Sequence, residues 1–236
     1  MMKTTSTHSG TSGWRYSHWR ELLYPPALSS TEWLSRYAEE FNSVEINSSL
    51  FGPLDSNDID LWCDSTPSRF RFSVKAPRQF GQEKKLRNCQ PDLTSFLGSC
   101  RRFAERLGPI VVQLPNGWRV NTRRLDQFLS SLSTEFQFVF EFRDPSWHCD
   151  EVFELLDKYR AAYCIYQQYG YNTPLDPIGS LAFVRLHGPE GSAVGSYQGA
   201  ALRNWVSRCL AWNRQGKNVF VYFDNDAGGF AVKNVR

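Results

Sequence analysis

Short apolar runs recur along the chain, separated by stretches whose apolar positions fall at helical spacing, and this alternation is the first thing the sequence offers. Phe138-Val139-Phe140-Glu141-Phe142 is the clearest run. It predicts a strand buried on both faces, in which Glu141 and, two residues on, Arg143 share one face. An ion in such a place is costly unless it is paired or used. The same arrangement predicts strands at Val44-Glu45-Ile46-Asn47 and Leu181–His187, where Arg185 and His187 take the paired positions. Further strands are expected at Phe70–Lys75, Ile110–Pro115, Ala161–Tyr166 and Val219–Phe223, with the glycine-flanked Gly10–Trp14 as the first.

Between them, Ser29-Ser30-Thr31 precedes a Trp33/Leu34/Tyr37/Ala38 stripe, an N-cap followed by an amphipathic helix. Residues 48–67 read as a long loop around one short helix, Asp58–Trp62, and helices are expected at 91–107, 121–132, 151–159 and 200–214. Eight strands mostly separated by helices favour a (β/α)8 barrel of α/β class over a six-stranded sheet. The last helix has room only for a stub. One domain over 1–236 is expected, since barrels commonly need about 250 residues. In such a fold the polar strand ends converge on the carboxyl-terminal mouth, where ligands bind.

Composition narrows the class. The chain has 236 residues, 41% of them apolar, with eight Trp, ten Tyr and seventeen Phe, which is ample core material and argues against disorder. A net charge of +3 from 27 basic and 24 acidic residues, without a long basic block, permits nucleic-acid binding but does not indicate it. Six dispersed cysteines lack CxxC spacing and read as reduced structural thiols. No apolar run reaches the length of a membrane span, and no signal-peptide core follows Met1, so the expectation is a cytoplasmic protein without a membrane partner. The oligomeric state is not legible.

The motifs Gly10-Thr11-Ser12-Gly13-Trp14, Tyr24-Pro25, Val44-Glu45-Ile46-Asn47-Ser48, Phe72-Ser73-Val74-Lys75-Ala76, Gln113-Leu114-Pro115, Glu141-Phe142-Arg143 with Ser146-Trp147, Arg185-Leu186-His187-Gly188 and Tyr222-Phe223-Asp224-Asn225-Asp226 occur in this order. In that order the chain resembles the DUF72 (YecE-like) family over nearly its whole length. The resemblance implies a TIM-barrel-like fold and no activity. The chain departs from the family pattern at Ser49-Leu50-Phe51, at Gly81-Gln82, at Gln167 or Gln168, and at Asp224, where the last motif usually begins with Asn.

The chemistry these residues suggest is a site for a small polar or anionic ligand. Glu45, Glu141 and His187 are candidate proton-transfer groups. Arg143, Arg185 and Lys75 are candidate anion ligands, since a guanidinium fork suits carboxylate and phosphate. Asn47, Gln113, Asn225 and Asp226 complete the expected binding set. The competing structural reading pairs the glutamates with the arginines in a buried ion network. Trp14, Trp147 and Phe51 could stack on a ligand, although aromatic residues are more often core. A metal-assisted phosphoester hydrolase or nuclease and a non-catalytic binding module are the alternatives. No metal-ligand spacing and no nucleotide fingerprint is present, and no cofactor is named by the residues.

Overall fold

Strands that are apolar on both faces must be covered on both sides, and the chain meets this by closing its sheet around one layer of side chains and wrapping helices outside it. The computed structural model describes residues 5–47, 54–168, 171–190 and 193–236. Eight parallel strands are β1 (Thr7–Thr11), β2 (Ser43–Asn47), β3 (Arg71–Lys75), β4 (Leu107–Leu114), β5 (Phe138–Phe142), β6 (Ala162–Gln168), β8 (Leu181–Leu186) and β9 (Asn218–Phe223). They are ordered β1-β9-β8-β6-β5-β4-β3-β2. A short β7 (Tyr171–Asn172) folds back antiparallel on β6.

The ends of the sheet meet at β1 and β2, making a nearly closed barrel. The Gly13 N–H donates to Glu45 O at 2.9 Å. The Tyr37 hydroxyl accepts from Thr11 N at 2.8 Å and donates to Ser43 O at 3.1 Å, filling the seam. Gly10 is required here, because a Cβ on it would lie 1.9 Å from Ser43 O.

Seven α-helices lie among the described residues: α1 (Trp33–Glu40), α2 (Ser56–Asp64), α3 (Gln90–Cys100), α4 (Thr122–Leu129), α5 (Asp150–Lys158), α6 (Gly199–Arg214) and α7 (Phe230–Val235). Their starts are written locally. Ser29 and Glu32 form a capping box on the turn that leads into α1. Asp55 caps α2 and Asn121 caps α4 through side-chain acceptors.

Two apolar bodies result. Val111, Val139, Cys164, Phe183, Phe220 and Tyr222 belong to the inner one, filling the barrel, and a larger aromatic-rich cluster lies between sheet and helices. The expected strands are all present with shifted ends: the first runs through Thr7–Thr11 and stops before Trp14, and the fourth begins at Leu107. The helix expected over 91–107 stops at Cys100, because the following turn passes through Ala104 at φ 49°, which an α-helix cannot contain. The expected stub after the last strand is α7.

Candidate functional site

Side-chain alternation carries the filled barrel into a charged one. Two residues beyond the inward Val111, Val139 and Phe183 come Gln113, Glu141 and Arg185, so apolar filling gives way to ions at the carboxyl-terminal end. Just beneath the ions, the buried Tyr222 hydroxyl donates to Ser73 Oγ at 2.8 Å and also meets Ser43 Oγ.

Arg185 is the hub. Its side chain is 1% exposed, and its Nη2 donates to Glu45 Oε2 at 2.8 Å and to Asp224 Oδ2 at 3.2 Å, while Nη1 donates to Glu141 Oε2 at 2.7 Å. Ser12 Oγ donates to Glu45 Oε2 at 2.7 Å. Burial works against ionising Glu141, but Arg143 and Arg185 outweigh it and hold the carboxyl well below the usual range. Burial likewise opposes the Asp224 charge, and Arg185 and His187 overcome it. For Arg185 itself burial disfavours the charge, yet Glu45, Glu141 and Asp224 keep the guanidinium protonated.

Above the hub lies a second, more accessible tier. The Arg143 side chain is 18% exposed and meets Glu141 Oε1 and Gln168 Oε1, its guanidinium lying 4.8 Å from the centre of the Tyr166 ring. Gln113 Nε2 donates to Glu141 Oε1 at 2.9 Å, and Gln82 Nε2 donates to Gln113 Oε1 at 2.6 Å. Gly81 makes that last bond attainable, since a Cβ there would lie 2.0 Å from Gln113 O.

His187 completes the tier. Its Nδ1 lies 2.8 Å from Asp224 Oδ2 and its Nε2 lies 2.9 Å from Arg143 Nη2. A guanidinium can only donate, so Nε2 accepts and Nδ1 carries the proton that binds Asp224. The result is a buried imidazole oriented by a carboxylate, with Nε2 covered by Arg143 and 3.5 Å from Glu141 Oε1. Lys75 and Asn47 are register partners at the ends of β3 and β2. Burial first, and Arg185 second, push the Lys75 ammonium down from its ordinary pKa.

The structure therefore brings together Glu45, Glu141, Arg143, Arg185, His187 and Gln113, with Lys75 and Asn47 on the neighbouring strands. Asn225 and Asp226 are directed elsewhere. Asn225 Nδ2 donates to Gly195 O at 2.9 Å and Asn234 Oδ1 at 2.8 Å, and Asp226 accepts from Trp19 Nε1 at 2.7 Å and pairs with His18 at 2.8 Å. Trp14 and Trp147 are 1% and 0% exposed and belong to the core, while Phe51, with Ser49 and Leu50, lies outside the described residues. Sequence reasoning passed over Asp224, Ser12, Gln82 and Tyr166. Inward alternation from Gly10 and Tyr222 pointed to Ser12 and Asp224, whereas Gln82 belongs to a loop and gives no such signal.

A cavity of about 650 Å³ opens beside this tier, lined by Gln82, Gln113, Asn116, Arg143, Tyr166 and Gln168 among others. Its walls offer amides, a guanidinium and an aromatic face, which suits hydroxyl and carboxylate groups. Among the described residues no three of His, Cys, Asp or Glu come together as a metal-ligand set, and no helix is long and apolar enough to cross a membrane.

A family profile described as "Protein of unknown function DUF72" matches residues 8–236. The UPF0759 protein YecE of Escherichia coli K12 is 33% identical over 117 residues, 48% of this chain and 42% of that protein, so the match spans less than half of the relative's length. The UPF0759 protein YunF of Bacillus subtilis is 24% identical over 95% of this chain and 90% of its own length. A crystal structure of a DUF72 family protein from Thermotoga maritima superimposes with a TM-score of 0.85 at 23% identity, covering 98% of this chain and 96% of that one. A D-psicose 3-epimerase from Clostridium cellulolyticum, at TM-score 0.59, 9% identity and coverage of 97% and 89%, shares the barrel fold alone.

Proposed function

Since the chain belongs to the DUF72 family, whose description names no activity, its function must be read from the mouth, and we propose an enzyme that moves a proton on a small hydroxylated or anionic substrate. The observation that carries this reading is the Asp224–His187–Arg143 line, with His187 Nδ1 2.8 Å from Asp224 and Nε2 2.9 Å from Arg143. A ligand carboxylate or hydroxyl that draws Arg143 toward the cavity would uncover Nε2 as a base. Asp224 would then hold the imidazole in place and stabilise its charge, as an orienting carboxylate does.

In this reading Arg143, Gln113 and Lys75 bind the ligand, with Gln82 and Gln168 as added hydrogen-bonding groups and Asn47 on the rim. Glu45 and Glu141 serve His187 indirectly. Both carboxylates are 0% exposed and engaged by Arg185, and Glu141 is held ionised, so Glu141 is not placed to lend a proton near neutral pH. Arg185 acts as the pillar between them, and Asn225 and Asp226 belong to the wall. The six cysteines are free thiols, in keeping with a cytoplasmic setting.

A thermal-shift panel of sugar acids, hydroxy acids, aldoses and ketoses tests this, ketoses being represented by the D-tagatose bound in the epimerase structure. A ligand at 100 times its Kd stabilises by about 2.7 kcal/mol, or roughly 5–10 °C for a chain of this size. The reading expects such a compound to act on the native protein and to lose most of its effect with Arg143→Ala. No responding compound, or an equal shift in the variant, would count against it.

A further inference from the structure

The reading of the mouth as a substrate site counts three cations among its groups, and they are not engaged alike. Arg185 is engaged by three carboxylates, and Arg143 by Glu141 and Gln168. Lys75 is different: among the described residues its ammonium makes no hydrogen bond and no ion pair. It nevertheless sits at the end of β3 on the inward side, two residues beyond the fully buried Ser73 and paired in register with Asn47 and Val111. A solvated surface lysine needs no partner, but one held at the top of a barrel interior is placed for a ligand.

We infer that Lys75 is a nucleophilic amine that captures the carbonyl carbon of a small hydroxylated aldehyde or ketone as an imine. The inference rests on the proposed substrate site and narrows its substrate class. Burial and the neighbouring Arg185 favour the neutral amine, against the opposing pull of Glu141, Glu45 and Asp224. Desolvation of a lysine beside another cation is a recognised way to make it nucleophilic near neutral pH. Lys75 pairs in register with Val111, and two residues beyond Val111 on the same strand Gln113 lines the cavity of about 650 Å³ with Gln82, Asn116 and Gln168, whose amides can donate to and accept from the hydroxyls of such a molecule.

The step balances without a further reagent. The Nζ lone pair forms the C–N bond as the carbonyl π electrons move to oxygen. The two amine hydrogens end on that oxygen, which departs as water, leaving C=N. The imine withdraws electrons from the adjacent carbon, so a proton on that carbon becomes removable by His187. Hydrolysis by the reverse route returns carbonyl and amine.

The test uses the native chain incubated near neutral pH with dihydroxyacetone and sodium cyanoborohydride, followed by peptide mapping by mass spectrometry. Hydride reduces an imine to a stable secondary amine, adding the mass of the probe less one oxygen atom. The inference expects this addition at Lys75 several-fold faster than at the exposed Lys85 or at Lys233. It also expects Lys75→Arg, which keeps the charge but forms no imine under these conditions, to lose the selective label while labelling at Lys85 and Lys233 is unchanged. Labelling at Lys75 no faster than at Lys85 and Lys233 overturns the inference. If the Arg143-dependent thermal shift survives that result, only the imine falls; if the shift is absent too, the substrate site falls with it.

Discussion

Removing Arg185 is the most informative perturbation of the network. Arg185→Met keeps much of the side-chain volume but leaves the buried Glu45 and Glu141 without their shared cation, and Asp224 with one partner fewer. Breaking a buried pair by removing one member costs about 3–5 kcal/mol, because the stranded charge has no water to turn to. For a chain of this size that is roughly 6–20 °C in Tm. The pH dependence gives the sharper sign. In the native protein Glu141 and Asp224 have lowered pKa values, so they contribute stability above the unfolded carboxylate range near 4 and lose it as pH falls through their folded values. Without Arg185, burial pushes the carboxylates up, and the variant is penalised for ionising them as pH rises. The stability gap should therefore be widest near pH 7.5 and should narrow near pH 5. Thermal melts followed by circular dichroism at both values measure it, and the double variant Arg185→Met/Glu141→Met should recover part of the loss. A loss below about 2 °C, or one equal at both pH values, refutes the reasoning.

Other consequences are equally checkable. Gly81→Ala forces a Cβ to within 2.0 Å of Gln113 O, so the turn must shift; it should cost about 1–3 kcal/mol and weaken ligand binding through Gln82, measurable by melts and titration. Tyr222→Phe removes the hydroxyl that joins Ser43 and Ser73 and should cost roughly 1–3 kcal/mol in a denaturant titration. His8 is held neutral to about 4, from an ordinary 6.5, by burial and then by Arg71. The unfolded chain thus takes its proton first, stability declines as pH drops through that interval, and an NMR titration of His8 should show the low midpoint.

The barrel was legible because its signal is repeated: apolar runs such as Phe138–Phe142 and Val219–Phe223 recur between amphipathic helices, and each must be covered on both faces. Convergence of Glu45, Glu141, Arg143, Arg185 and His187 followed from alternation within strands. Burial of particular ions did not, because whether Arg185 faces solvent or three carboxylates depends on strands far apart in sequence. Asp224 was set aside because the family pattern favours Asn there, although alternation from Tyr222 carries it inward. Asp226 misled for the opposite reason: its backbone has left the strand, at φ −90° and ψ −1°, so the two-residue period no longer holds. Gln82 acts from a turn, where no periodicity marks it.

The most direct test of proton transfer at the mouth is exchange of substrate C–H for C–D in D2O, followed by proton NMR. Hydroxylated ketones, aldehydes and acids would be incubated with the native chain and with His187→Asn. The account predicts that at least one compound loses the signal of the hydrogen next to its carbonyl or carboxyl carbon, and that His187→Asn, still folded by its melt, abolishes the loss. Exchange that proceeds equally in the variant, or no exchange with a compound that binds through Arg143, would contradict it.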